Sequence, residues 1–222
     1  MYVGHLALGV ALKARYPKVP TLAILLGTGL LDLLNGIFVV LGIDTVTPNP
    51  AATPLLFFDL TFVDWDHSLL MALNIAALWA LLFRRDKTAA WVAGAAVFSH
   101  WLVDWPMHNL DLALYPHSDL HFGMNLWGKW GIWSWVAEGV FTLVLAAYAW
   151  NAYAVRGKRL LWPCVVLLVL FLQSSPWLSP LSFVATLEEP TAHLAAGVLI
   201  FISFLLPGLL LAWLLDRTDR IG

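Results

Sequence analysis

Ser99-His100-Trp101-Leu102-Val103-Asp104-Trp105-Pro106-Met107-His108-Asn109 closes an otherwise apolar run that begins near Ala89. On a helix, His100 and Asp104 lie one turn apart on one face. His108 repeats the step, with Pro106 expected to break the helix first. An ionisable group inside an apolar span is costly and points to function. Imidazole and carboxylate on one helical face also suit a divalent cation. The plainer reading is a polar pair that hydrogen-bonds two helices together.

Composition narrows the class. Of 222 residues, 61% are hydrophobic and only 12% are charged, about half the charge of a soluble domain. An all-α, polytopic membrane helix bundle is expected, one integral-membrane domain over residues 1–222, and not a soluble enzyme with a large core. The net charge of −2 gives no basic surface for nucleic acid. Cys164 is the single cysteine, so no intrachain disulfide can form. No cleavable signal is expected, because Lys13, Arg15 and Lys18 follow the first apolar stretch instead of preceding it. The 13 tryptophans read as interfacial anchors and packing residues.

Residues 3–14 predict an apolar helix too short to cross about 30 Å of hydrocarbon. About six spanning helices are expected, over 20–42, 67–83, 88–105, 131–154, 160–173 and 191–215. No internal repeat is visible. Basic clusters at 13–18, 84–87, 156–159 and 217–220 share one set of helix ends, and the acidic and histidine-rich loops share the other. The positive-inside rule then puts loops 43–66, 106–130 and 176–190 on the outer face of a bacterial inner membrane, with the C-terminus cytoplasmic.

Depth gives a second argument. At 1.5 Å per residue from the cytoplasmic end of its own helix, His5 stands roughly 12–15 Å up, and Asp32 and His100 about 18 Å. Asp104 comes out at about 24 Å, His67 at about 25 Å and Glu138 at about 27 Å. Helices from distant parts of the chain thus deliver ionisable residues to one band, which predicts a shared site opening outward.

Each residue also has an ordinary explanation. A lone His5 near a terminus is commonly an interfacial residue. Asp32 is harder to dismiss, since a bare carboxylate in a span costs roughly 3 kcal/mol and needs a cation, a proton or a partner. Asp64 and Asp66 open the third helix, over 67–83, where acids serve as caps and first-turn charges. A helix N-terminus disfavours imidazolium, which keeps His67 neutral as a ligand must be. His117 and His121 sit in a loop, where histidines are usually just solvated. Glu138 is a ligand, a base or a packing hydrogen bonder. His193 is incidental or lines the entrance. No nucleophile elbow, His-Glu-x-x-His or phosphate loop occurs.

The set Gly4-His5-Leu6, Leu31-Asp32, His67-Ser68-Leu69-Leu70 and Ser99-His100-x-x-x-Asp104 resembles the bacterial membrane-bound metal-dependent hydrolases of the YdjM-like kind, in order along residues 1 to about 110. The histidine usual before the His-Ser-Leu-Leu element is missing, and the family's Pro-Asp-x-Asp is reduced to Leu31-Asp32-Leu33-Leu34. His100-x-x-x-Asp104-Trp105-Pro106-Met107-His108 is more distantly similar to the signature of zinc-dependent phospholipase C and its nuclease relatives. That likeness implies one zinc on Asp32, His67, His100 and Asp104, another sharing Asp104 and taking His5, and a further one on His108. The gap from Asp104 to His108 is shorter than usual, the downstream His-x-x-x-Glu is absent, and so is the N-terminal tryptophan ligand.

The expectation is therefore a membrane-embedded, zinc-dependent hydrolase that cleaves a phosphoester of a lipid or lipid-linked substrate, with Glu138 or Asp66 moving the proton. The main alternative is a non-catalytic protein that passes cations or protons through the same residues. A haem protein with axial histidines and a purely structural bundle are the others.

Overall fold

The computed structural model describes residues 1–52 and 57–221. Pro17 and Pro20 punctuate the turn between α1 (Val3–Arg15) and α2 (Thr21–Thr28), and Gly29 separates α2 from α3 (Leu30–Val40). The two bend by 55° at that break. An antiparallel hairpin follows, β1 (Thr45–Pro48) with β2 (Phe58–Phe62), pairing Val46 with Leu60 and Pro48 with Phe58. The single turn α4 (Asp64–His67) leads into α5 (Leu69–Leu82), whose first amides are capped by the Ser68 hydroxyl accepting from the Met71 N–H. Asp86 caps α6 (Lys87–Met107) in the same way, accepting from the Thr88 and Ala89 amides at 2.8 and 3.1 Å. A second short pair, β3 (Leu112–Ala113) with β4 (His121–Phe122), precedes α7 (Leu126–Trp130). Then come α8 (Ile132–Ala154), α9 (Leu161–Gln173), α10 (Pro180–Val184) and α11 (Thr191–Ile221).

The helix too short to span is central. Val3, Leu6, Ala7 and Val10 of α1 have no exposed surface, and they pack with Ile24 of α2, Val92 of α6, Tyr153 of α8, Leu167 of α9 and Leu211 of α11. A helix enclosed by its neighbours need not be long enough to cross anything. The backbones of α3 and α11 come into direct contact. A Cβ on Gly36 would stand 2.6 Å from the Phe201 nitrogen, and one on Gly197 would stand 2.8 Å from the Gly36 oxygen. Only residues without a side chain let these backbones meet.

Three expectations need correction. About six spanning helices were expected. Among the described residues two are long and apolar enough to cross a membrane, α8 and α11, and a third exists if the bent α2–α3 pair is one span. At 14 and 13 residues, α5 and α9 reach only about 20 Å. Pro106 does not end α6 early. The helix continues to Met107, and the His108 amide still donates to the Asp104 carbonyl at 2.8 Å. A proline in the last turn removes one hydrogen bond where few remain to lose. Finally, loops 43–66 and 106–130 carry the two hairpins and short helices. Exposed Leu78, Leu82, Leu143, Leu168 and Leu206 on α5, α8, α9 and α11 form more apolar surface than a soluble monomer leaves bare.

Candidate metal centre

His5 from α1, Asp32 from α3, His67 from α4, and His100 and Asp104 from α6 meet at one place, with His108 just past the end of α6. His5 and His100 have no exposed surface, and His67, Asp104 and His108 are at most 4% exposed. The carboxylate of Asp104 is the hub. Its Oδ2 lies 3.1 Å from His100 Nε2, 3.6 Å from His108 Nε2 and 3.9 Å from His67 Nε2. Its Oδ1 lies 3.1 Å from His5 Nε2 and accepts from the Met1 amino group. Asp32 stands across from it, with Oδ1 at 3.5 Å from His67 Nε2 and Oδ2 at 3.4 Å from His100 Nε2. The His5 and His100 rings stack at 3.7 Å.

The far nitrogens explain the orientation. His67 Nδ1 meets Asp66 Oδ1 at 2.7 Å, His108 Nδ1 meets Asp111 Oδ1 at 2.9 Å, and His100 Nδ1 meets the Thr28 carbonyl at 2.8 Å. An oxygen acceptor on Nδ1 fixes the proton there, so the neutral ring turns the lone pair of Nε2 inward. Three imidazoles therefore aim acceptors at carboxylate oxygens, which are also acceptors. His100 Nε2 is buried and without a hydrogen-bond partner among the described residues. Such an array is repulsive unless a cation or added protons lie between its members. Two donors on a tetrahedral zinc at about 2.1 Å stand roughly 3.4 Å apart, which falls within the range of the spacings above. The donor atoms of His67, His100 and Asp104, and those of His5, Asp32 and His100, can each converge on one ion.

Asp66 does not face this centre. It stands behind His67, off the cavity wall, so it is placed to hold the ring and not to reach a substrate. Asp44, at the turn after α3, is buried beside it, and burial together with the Asp66 carboxylate pushes Asp44 up to about 8. Glu138 does line the cavity, but its Oε1 accepts from the Tyr2 and Gly4 amides at 2.7 and 3.0 Å, satisfying the first turn of α1. His117, His121 and His193 lie outside the cluster. The His117 amide donates to Asp64 Oδ2 and its ring stacks on Phe62, and His193 faces the Val39 and Val46 carbonyls. Sequence reasoning missed Asp111 and the Thr28 carbonyl. Asp111 was accessible, one turn past a candidate ligand; a backbone carbonyl leaves no trace in a sequence.

A cavity of about 200 Å³ opens onto the cluster, reaching Asp32, His67, Asp104, His108 and Glu138. His5 and His100 lie one layer beneath it. Among the described residues no lysine or arginine lines it. The chain matches no family model, no curated protein and no solved structure.

Proposed function

We propose that the protein is a membrane-embedded, metal-dependent hydrolase, with Asp32, His67, His100 and Asp104 holding a divalent ion, zinc by the mixture of nitrogen and oxygen donors. The observation that carries this reading is the set of inward Nε2 lone pairs facing carboxylate oxygens. Asp104, offering one oxygen to His5 and the other to His67, His100 and His108, is placed to link a second ion to the first. A bound ion would polarise the substrate and lower the pKa of a water. Glu138, with one oxygen committed to α1, has the other for carrying a proton at the cavity wall. Asp66 and Asp111 orient His67 and His108.

Phosphoester cleavage is the chemistry we favour, in line with the resemblance of the His100–His108 stretch to zinc-dependent phospholipases. Among the described residues the lining offers three carboxylates against the Met1 amino group and no lysine or arginine, so bound ions would meet most of a phosphate's charge. A singly charged diester suits that balance better than a doubly charged monoester. The membrane-crossing character of α8 and α11 favours a lipid or lipid-linked substrate. We place the protein in a bacterial inner membrane, with the site toward the outer face and the C-terminus cytoplasmic.

A second reading has the same footing in one respect. Protons would relieve the same lone-pair repulsion, so passage of cations or protons through the cluster is the alternative. Purified protein in lipid nanodiscs separates the two. We expect zinc-dependent cleavage of bis(p-nitrophenyl) phosphate that chelation abolishes and His100→Ala reduces to background. No cleavage, with a proton or cation flux in liposomes that His100→Ala stops, would favour translocation.

A further inference from the structure

The cavity continues well beyond the cluster, and α11 measures how far. Phe204 lies 6.3 Å, ring to ring, from both His5 and His100. Ala196, on the same helix, packs with Val39, Val46 and Phe58. Both residues line the cavity, and eight residues of helix separate them by about 12 Å. Between them Leu199 and Ile200 form one wall. The β1–β2 hairpin adds Val46, Phe58 and Leu60 to the lining, and the segment from the end of α9 to α10 adds Gln173, Ser174 and Ser179.

The hairpin is built for this position. Val46 and Phe58 are buried, whereas Thr45, Thr47 and Asp59 are exposed. Its polar face is closed by bonds from Thr47 to Thr61 at 2.9 Å and from Asn49 to Asp59 at 2.9 Å. Its apolar face turns inward. His193 of α11 pins it there, with Nε2 2.6 Å from the Val39 carbonyl and Nδ1 3.3 Å from the Val46 carbonyl. An aliphatic slot joined directly to a cluster of ionisable groups fits one kind of occupant, an amphiphile.

We propose that the slot between the β1–β2 hairpin and α11 binds the substrate's alkyl chain, with the reacting headgroup at the Asp104 cluster and the chain running along α11 toward Ala196. Phe58, Leu60 and Leu199 then set the chain length accepted. This rests on the hydrolase reading of the cluster, and deepens it by giving the substrate a direction.

The test uses zinc-loaded protein in nanodiscs and a methyl alkylphosphonate, a singly charged phosphodiester mimic whose P–C bond to the chain resists hydrolysis, carrying a terminal diazirine. After irradiation, peptide mapping should place the label on the hairpin and on residues 196–200. Leu199→Trp, which fills the slot, should cut that labelling several-fold without changing zinc content. Label found only on outward residues such as Leu143 and Leu168, or hairpin labelling untouched by Leu199→Trp, would overturn the proposal. A second measurement does not depend on the variant. Unlabelled methyl alkylphosphonates from butyl upward should displace the probe about fourfold better per added methylene until the slot is filled, after correction for partition into empty nanodiscs. A flat series would also overturn it. If only the hydrolase reading fails, the label stays on the hairpin while diesters of the same chain go uncleaved.

Discussion

At the scale of single residues, the nitrogen facing away from the centre carries as much of the account as the one facing in. Asp66 on His67 and Asp111 on His108 fix the tautomer and ring plane, and partners of this kind are worth about 10–100-fold in metal affinity. Asp66→Asn should therefore keep zinc at saturating concentration but weaken its affinity by that factor in a competitive chelator titration. Unchanged affinity would make the pair merely a packing contact. Asp44 gives a pH signature. Its folded value of about 8 lies above the unfolded one of about 3.9, so folding favours the neutral acid. The stability this contributes is complete below the unfolded value and is lost as pH rises toward 8. Asn at position 44 is neutral throughout. The melting temperature of Asp44→Asn relative to the native chain should climb between pH 4 and 8 and level off above it. A gap independent of pH would show that Asp44 is charged in the fold.

At the scale of elements, helices were legible where apolar runs were long, as in α8 and α11. Two things were not legible. Enclosure of a short helix depends on its neighbours, so nothing in residues 3–14 shows α1 to be the centre of the core. The hairpin strands are short, β1 lies between turn residues, and neither bears a pattern distinct from a loop. The depth argument for His5, Asp32, His67, His100 and Asp104 needed only helix pitch and a common reference end, and the structure does bring these residues together. Asp111 escaped it because it lies in a loop, where depth has no meaning. The α3–α11 crossing makes its own prediction. With backbone atoms at 2.6 to 2.8 Å from each added Cβ, Gly36→Ala or Gly197→Ala forces the helices apart at a cost of about 1–3 kcal/mol. A thermal melt in detergent measures this, and an unchanged midpoint would mean that the crossing is loose. Because Asp32 rides on α3, zinc affinity should fall with stability.

At the scale of the molecule, the chain spends its deeply buried first helix, one arm of a bent pair and the end of α6 on positioning a handful of ionisable side chains, and leaves the apolar outer faces of α5, α8, α9 and α11 to the surroundings. Carboxylates and imidazoles gathered this densely and buried this deeply are unfavourable unless something positive joins them. The most direct test is metal content. Elemental analysis of the purified protein should find at least one zinc per chain, lost in His100→Ala and in Asp104→Ala, and retained in His121→Ala, whose ring lies in the β4 loop away from the centre. Equal metal in all four proteins, or none in the native chain after purification in the presence of zinc, would contradict the account.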